Sequence, residues 1–496
     1  MKLKYTLLSA FWALTLPSFA QFTTDALRFS QINQASTARA KGFGGAQTAV
    51  GGDISSLAGN PAGIALFTKS ELTFTPELNS YNDKADYLGA SSTGKKDKLN
   101  ISQAGVVFRV STYRQKGQDV DKGWLSVNFG IGYNRSHDLG NSFSLAGINT
   151  QSSIADFFAD QATATGLLPS QLASGNNALA NAAYENYLIG YNNSQGQYFP
   201  EADVNNTQML TDNRKGGQSE VNFGIAANYS NKLYLGASLA LTSINYFSES
   251  IYKESGFNSY EDNDYNTTFI QTQSTKGSGV NGKLGIIYKP TSFVRLGVSY
   301  QTPTWYTVDD DFSQALSTRY GTSRIDSQFV SPEEIFPASY RVRTPSRINT
   351  GIAFFSKYGF ISGDVEFVNY GGINFNSTTN DDLEATAEDN KVVRDTYTNA
   401  INYRIGAELK FDKMYVRGGY GQLGNPYRNK SNGNYQNTTI SGGLGYRLSN
   451  YFIDLTYQNI EYATNYTTYT VNGGINPTAD TKSNTSNIFL TVGLRF

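Results

Sequence analysis

Along most of this 496-residue chain, apolar and polar residues alternate one by one. Leu233, Leu235, Ala237, Leu239 and Leu241 are interleaved with Tyr234, Gly236, Ser238, Ala240 and Thr242. Val294, Leu296, Val298 and Tyr300 alternate with Arg295, Gly297 and Ser299, and Tyr451, Ile453, Leu455 and Tyr457 with Phe452, Asp454 and Thr456. A period of two with one apolar face is a strand lying between two different environments. Such segments fall near 69–81, 100–114, 122–138, 218–230, 232–250, 268–289, 292–306, 338–355, 359–371, 397–411, 413–424, 435–448, 450–464 and 484–496. That is about fourteen, an even number as single-chain bacterial barrels have. The connections alternate in length. Short ones lie at 230–232, 289–292, 356–359, 411–413 and 448–450; long ones at 82–99, 139–217, 251–267, 307–337, 372–396, 425–434 and 465–483. A soluble sandwich has no reason to keep that parity, whereas a membrane barrel sets short periplasmic turns against long external loops. The pattern predicts an all-β fold, a transmembrane antiparallel β-barrel with its apolar face toward lipid and its small or polar face toward the lumen.

Both ends of the chain fit export to an outer membrane. Lys2 and Lys4 precede an apolar run from Leu7 to Leu16, roughly ten residues and too short to cross a bilayer as a helix. Pro17 breaks the run, and Ser18-Phe19-Ala20 has the small-x-small form of a cleavage site. A signal peptide over 1–20 and a mature chain from Gln21 are expected, with no cysteine to carry a lipid anchor. At the other end Ile488, Leu490, Val492, Leu494 and Phe496 share one face. A terminal aromatic closing an alternating strand resembles the signal read by the outer-membrane barrel-assembly machinery, which makes Phe496 the expected contact with that partner. The expected location is the outer membrane of a Gram-negative bacterium, in contact with outer-membrane lipid.

Composition narrows the class. Aromatic residues make up 14% of the chain while the mean hydropathy is only −0.40. Aromatic girdles around a polar lumen produce that combination. After the leader no run approaches eighteen apolar residues, so membrane helices are not expected. The net charge of −1 gives no electrostatic case for nucleic acid. An enzyme is not expected either: the one histidine, in His137-Asp138, has no recognisable nucleophile motif near it. Asp309-Asp310-Asp311 and Glu261-Asp262-Asn263-Asp264 lack calcium-loop spacing and read as solvated loop charges. No nucleotide fingerprint is present, so neither metal nor cofactor is expected.

Between the leader and the first strand lies a small, Gly-rich, nearly uncharged stretch, Ser36-Thr-Ala-Arg-Ala-Lys-Gly-Phe-Gly-Gly-Ala-Gln-Thr-Ala-Val50, followed by Asn60-Pro61-Ala62-Gly63. About fourteen strands enclose a lumen too wide for wall side chains to fill, since eight already give a filled interior. Residues 21–65 are long enough to plug it, leaving 66–496 as the barrel. Gly42, Gly44, Gly45, Gly51 and Gly52 permit tight turns and close approach to the wall. Pro61 steers Asn60 away from helix, so the segment reads either as a hinge between plug and first strand or as an ordinary turn. The wording ARAxGxGGAxTAV…D…NPAG resembles the N-terminal hatch of the FadL/TodX family of outer-membrane transporters. The resemblance is close over 36–63 and one of pattern elsewhere.

That resemblance implies a monomeric, passive transporter of long-chain fatty acids or similar hydrophobic molecules. Its hatch, with Arg39, Gly44, Gly45 and Asn60 to Gly63, would gate the lumen, and the ligand would leave sideways through an inward kink in the third strand. Here that strand contains Gly130 and Gly132, which could permit a bend or simply pack beneath the plug. Lumen cations such as Arg39, Arg295 and Arg404 could pair with a ligand carboxylate or with Asp364 or Glu366. In the 139–217 loop, Ile154 to Leu168 and Ala178 to Ile189 are spaced as short helices. Phe157, Phe158, Leu167 and Leu168 would then form a capture groove, unless the helices merely pack on each other as a lid. Two other function classes fit a plugged barrel: an energised receptor for haem or another ligand, for which this plug and strand number are small, and a structural or adhesive barrel.

Overall fold

The computed structural model describes residues 24–113, 119, 121–173, 177–321, 328–330, 333–376, 383–429 and 436–496; the expected leader over 1–20 lies outside them. Fourteen antiparallel staves close into a barrel. They are β1 (Glu71–Tyr87), β2 (Ala90–Ser111), β3 (Trp124–Asp138, continued by Asn141–Asn149), β4 (Asn206–Tyr229), β5 (Leu233–Asn258), β6 (Asn263–Tyr288) and β7 (Val294–Gln301, continued by Trp305–Tyr320). The second half comprises β8 (Glu334–Arg343, continued by Arg347–Ser356), β9 (Gly359–Asn369), β10 (Asn399–Phe411), β11 (Met414–Leu423), β12 (Gln436–Arg447), β13 (Tyr451–Thr467) and β14 (Thr478–Arg495). Each stave pairs with its sequence neighbours, and β1 closes the ring on β14 from Glu71 opposite Arg495 to Asp86 opposite Asp480.

The two faces of the wall settle which way the alternation points. On β1 the inward Thr73, Thr75, Glu77 and Asn79 are buried, while the outward Leu72, Phe74 and Leu78 are 44–49% exposed. Leu239 and Leu241, Ile453 and Leu455, Ile488 and Val492 continue that exposed apolar band around the barrel. A belt of this extent left uncovered in water would drive aggregation, and lipid is the solvent it suits. Aromatic residues border it at the short turns, among them Trp124, Tyr229, Tyr288, Phe293, Tyr358, Phe411, Tyr446 and Tyr451.

All fourteen sequence segments lie on staves, but the staves run further than the apolar alternation does. The connections expected at 82–99 and 251–267 are tight hairpins instead, turning at Leu88-Gly89 and at 259–262. Beyond the band the outward residues become polar, as in Asn82, Lys84 and Asp86. A strand polar on its outer face carries no apolar period, so the alternation is silent where the ladder is not. What the external end has in excess is protruding sheet rather than irregular loop.

The 139–217 segment contains α1 (Ile154–Thr165), α2 (Pro169–Leu172) and α3 (Ala178–Glu185) beside strand segments. These helices pack into the external mouth against Tyr87, Leu210, Tyr252, Phe269, Leu316 and Tyr320, which makes them a lid. One further helix (Leu383–Thr396) lies over the β9–β10 connection.

Candidate functional site

The plug is inside the barrel. Residues 24–30 are helical, Ala38–Gly42 forms a short helix, and Ile54–Leu57 and Pro61–Leu66 are single 3₁₀ segments. No piece is long enough to be stable alone, so side-chain caps and the wall must hold it. Thr37 caps the 38–42 helix by accepting from the Ala40 N–H at 3.1 Å, and Asp53 caps 54–57 by accepting from the Ser55 N–H at 2.9 Å. The two caps are joined, since the Thr37 hydroxyl donates to Asp53 Oδ2 at 2.8 Å. The N–H groups of Ser36 and Thr37 both donate to the Ser55 hydroxyl at 3.1 Å. This knot explains why Asp53 belongs to the sequence motif, a role its spacing alone does not reveal.

Asn60 works in three directions. Its side chain accepts from the Ala62 N–H at 3.2 Å and donates to the carbonyls of Thr48 at 2.7 Å and Ile286, on β6, at 3.2 Å. Pro61 occupies the first position of the 3₁₀ turn, where its missing N–H costs nothing. Asn60, Pro61, Ala62 and Gly63 are all buried. On either side of them the wall takes hold: Ser238 donates to the Leu57 carbonyl at 2.9 Å, and Asn128 to the Ile64 carbonyl at 2.7 Å. Around these bonds Ile54, Leu57, Ile64 and Phe67 pack with Val107, Tyr234 and Ile287 in a dry cluster.

The rest of the plug is held by a second apolar cluster, in which Ala40, Phe43, Ala46 and Val50 pack with Ala353 and Phe360 of the wall, and by polar contacts. Thr491 accepts from the Ala38 N–H at 2.8 Å, Thr456 donates to the Ala38 carbonyl at 2.6 Å, and Asp364 accepts from the Thr48 N–H at 2.8 Å. Five wall glycines, Gly236, Gly285, Gly297, Gly406 and Gly419, make room for plug backbone or for Asn60. A Cβ at each would collide, respectively, with Pro61–Ala62, Asn60, Thr48, Phe43 and Gly44. Sequence reasoning missed these five. Their one signal is a glycine at an inward position of an alternating strand, which also describes any small lumen residue. On the plug side Gly44 (φ +70°), Gly45 (φ +75°), Gly51 (φ +63°) and Gly52 (φ +66°) adopt the left-handed conformation that favours glycine.

The three candidate cations have different partners. Arg39 forms a fork on Glu408, Nε to Oε2 at 3.0 Å and Nη2 to Oε1 at 3.2 Å, and donates to the Gly52 carbonyl at 3.0 Å. Burial works against its charge, but Glu408 more than offsets this and the guanidinium is held above its usual range. Glu408 also accepts from Arg417 at 2.6 Å, and Arg417 reaches Asp454 at 2.7 Å. Arg404 pairs with Glu366 at 3.4 Å, beside Arg347 at 3.0 Å. Arg295 donates to the Val50 carbonyl at 2.6 Å and lies 4.1 Å from the Phe355 ring centroid; among the described residues it pairs with no carboxylate. Burial lowers the Lys41 ammonium, which faces the Phe489 ring at 5.0 Å. Below this network a pit of about 250 Å³ opens at the short-turn end, lined by Arg39, Asp53, Glu71, Glu408, Arg447 and Arg495.

Gly130 and Gly132 sit in an unbroken stretch of ladder, opposite Val107 and Gly105 on one side and Gly224 and Asn222 on the other. Their missing side chains leave space for Leu57. The irregularities of β3 flank them, at Trp124/Ser126 and Arg135/His137. Past Asn134 the stave departs from β2: the β2–β3 ladder covers only Gln103–Ser111 against Ser126–Asn134, while Ala90–Ile101 has ladder partners on β1 alone. Side chains close this seam. Asn100 donates to Asp138 at 2.9 Å, Lys98 pairs with Asp138 at 3.8 Å, and Lys96 donates to the Arg214 carbonyl at 3.2 Å.

Of the lid candidates, Phe158 is fully buried with its ring edge-on to Phe269 at 5.5 Å, and Phe157 packs beside it. Leu167 is packed into the same cluster, and Leu168 is 48% exposed. The apolar faces of the helices thus turn toward one another and the mouth, and Leu168 is the one candidate presented to the outside.

No protein-family model and no curated protein sequence matches this chain. Solved structures do. The crystal structure of the Pseudomonas putida toluene transporter TodX superposes with a TM-score of 0.51 at 15% identity, over 93% of this chain and 98% of that one. That of a Pseudomonas aeruginosa FadL homologue gives 0.53 at 12% identity, over 93% and 99%. The chain has the FadL/TodX fold. At these identities the agreement lies in the architecture of a FadL/TodX-type barrel, which this chain spans from hatch to closing stave.

Proposed function

We propose that this chain is an outer-membrane channel for the passive uptake of hydrophobic molecules, long-chain fatty acids or similar compounds, gated by its hatch and released through the side of the barrel. The observation that carries the reading is the placement of the hatch. It fills the short-turn half of the lumen, and above it Ile244, Tyr246, Tyr306, Val342, Tyr370 and Phe375 form an apolar girdle into which Leu27 and Phe29 of the 24–30 helix insert. A hydrophobic cargo suits that girdle and has to displace those two side chains to occupy it. The dry cluster around Asn60–Gly63 serves as the fixed pivot, and the polar contacts of residues 34–53 are the ones that exchange. The seam between β2 and β3 supports lateral release, because its closure rests on side chains instead of ladder bonds. The toluene transporter and the FadL homologue of the same fold support the cargo class.

Asn60→Ala combined with Pro61→Ala tests the gate. The double variant is expected to insert and keep heat-modifiable mobility, while uptake of a fluorescent long-chain fatty acid or of radiolabelled toluene into proteoliposomes changes at least about fivefold, since the three side-chain bonds of Asn60, of about 1 kcal/mol each, are lost. Unchanged uptake by the inserted variant would sink the hatch as a gate.

A further inference from the structure

The short turns carry a chemistry that neither the hatch nor the channel uses. Lys69 precedes β1, Lys122 precedes β3, Lys232 joins β4 to β5, Lys289 joins β6 to β7, Lys357 joins β8 to β9, and Lys410 and Lys413 flank the β10–β11 turn. All are exposed except Lys289, which is half-buried. Lys122 is paired with Asp119 at 3.3 Å. The other six make no ion pair among the described residues, and the exposed acids described on the short turns are Asp119, Asp121 and Asp412. The opposite end of the barrel carries Glu261, Asp262, Asp264, Asp309 and Asp311. Cations outnumber acids on the short-turn rim, seven lysines against three exposed acids among the described residues, whereas the opposite end mixes these acids with exposed cations such as Lys84, Lys95 and Lys253.

The lysines also sit beside girdle aromatics. Tyr229 is three residues from Lys232, Tyr288 adjoins Lys289, Phe411 is two residues from Lys413, and the Lys357 ammonium lies 4.8 Å from the Tyr358 ring centroid. Girdle aromatics mark the head-group level of a bilayer, and a lysine at that level extends its four-carbon stem to place the ammonium among the head groups. We infer that the short-turn rim binds the anionic head groups of glycerophospholipids in the leaflet it abuts, drawing phosphatidylglycerol-type lipids around this end of the barrel. A polyanionic cell-wall polymer is the competing partner. The lipid is favoured because, Lys69 and Lys122 aside, the charges flank the apolar band on turns of two to five residues and do not project beyond it on longer loops.

The test is native mass spectrometry of the full barrel released from nanodiscs containing equal parts phosphatidylglycerol and phosphatidylcholine with the same acyl chains. The native protein is expected to retain phosphatidylglycerol roughly tenfold over phosphatidylcholine, with the preference shrinking as salt rises. Changing Lys69, Lys232, Lys289, Lys357 and Lys413 together to Gln should abolish the preference while heat-modifiable mobility shows the barrel still folded. Arg341→Gln with Arg343→Gln, two exposed outward cations on the far side of the band, should leave it intact. Equal retention of both lipids by the native protein overturns the inference, as does a preference that survives the lysine changes or falls with the arginine changes. Sedimentation with isolated cell-wall sacculi in the absence of any lipid preference would assign the rim to the wall polymer instead. Solute uptake is not read in this experiment, so its failure leaves the channel reading untouched.

Discussion

Glycine serves opposite purposes on the two sides of the hatch interface. On the hatch, Gly44, Gly45, Gly51 and Gly52 are chosen for backbone angles that other residues adopt at a cost of about 1–2 kcal/mol. On the wall, Gly285 and its four counterparts have ordinary strand angles and are chosen for the space they leave. Gly285→Val is consequently expected to evict Asn60 from β6 without disturbing the ladder, since valine suits a strand. Planar-bilayer recording should show a leak several times that of the native barrel, and a native-like silent barrel would refute the docking role. At this scale the sequence was legible on one side only. Motif glycines stand out in a run of small residues, and Asn60-Pro61 announces a turn. An inward glycine in a strand is indistinguishable from any other small lumen residue until its partner is known. The pairing of Arg39 with Glu408 was equally hidden, because 369 residues separate them.

At the scale of elements the lid shows how one wall residue can fix a helix. Glu254, near the outer end of β5, accepts from the Ile154 N–H at 3.0 Å, Tyr252 at 2.8 Å, Tyr265 at 2.7 Å and Gln208 at 3.0 Å, and also from Ser153. It is buried, and these donors, two at the start of α1 and three on the wall, take the place of a cation partner. Glu254→Ala strands several buried donors and should loosen α1 by about 2–4 kcal/mol. Hydrogen exchange over 154–165 is expected to rise accordingly while β5 and β6 stay protected; unchanged exchange would show that apolar packing alone seats the lid. The existence of the staves and of α1 and α3 was readable from their periods. Stave length was not, because the upper halves are polar on the outside, and the helices' spacing could not say whether their apolar faces turn outward or toward the mouth.

For the molecule as a whole, the seam between β2 and β3 is a place where neighbouring staves part and side chains close the gap. If cargo leaves there, joining Asn100→Cys to Asp138→Cys with a short bifunctional thiol reagent should lower uptake at least tenfold, in a chain with no native cysteine to confuse the reaction. Single-cysteine controls treated alike should transport normally. Full uptake by the cross-linked protein would move the exit elsewhere.

The overhanging sheet has a consequence of reach. β5 and β6 stay paired as far as Asn258 opposite Asn263, seventeen residues past the exposed Leu241. At about 3.3 Å per residue and a tilt near 40°, the hairpin rises roughly 40 Å above the apolar band. On the proposed function, the lid is thus mounted on a chimney tall enough to pass through the hydrated sugars that coat an outer leaflet, and an oily molecule that cannot dissolve in that layer enters the barrel on its far side.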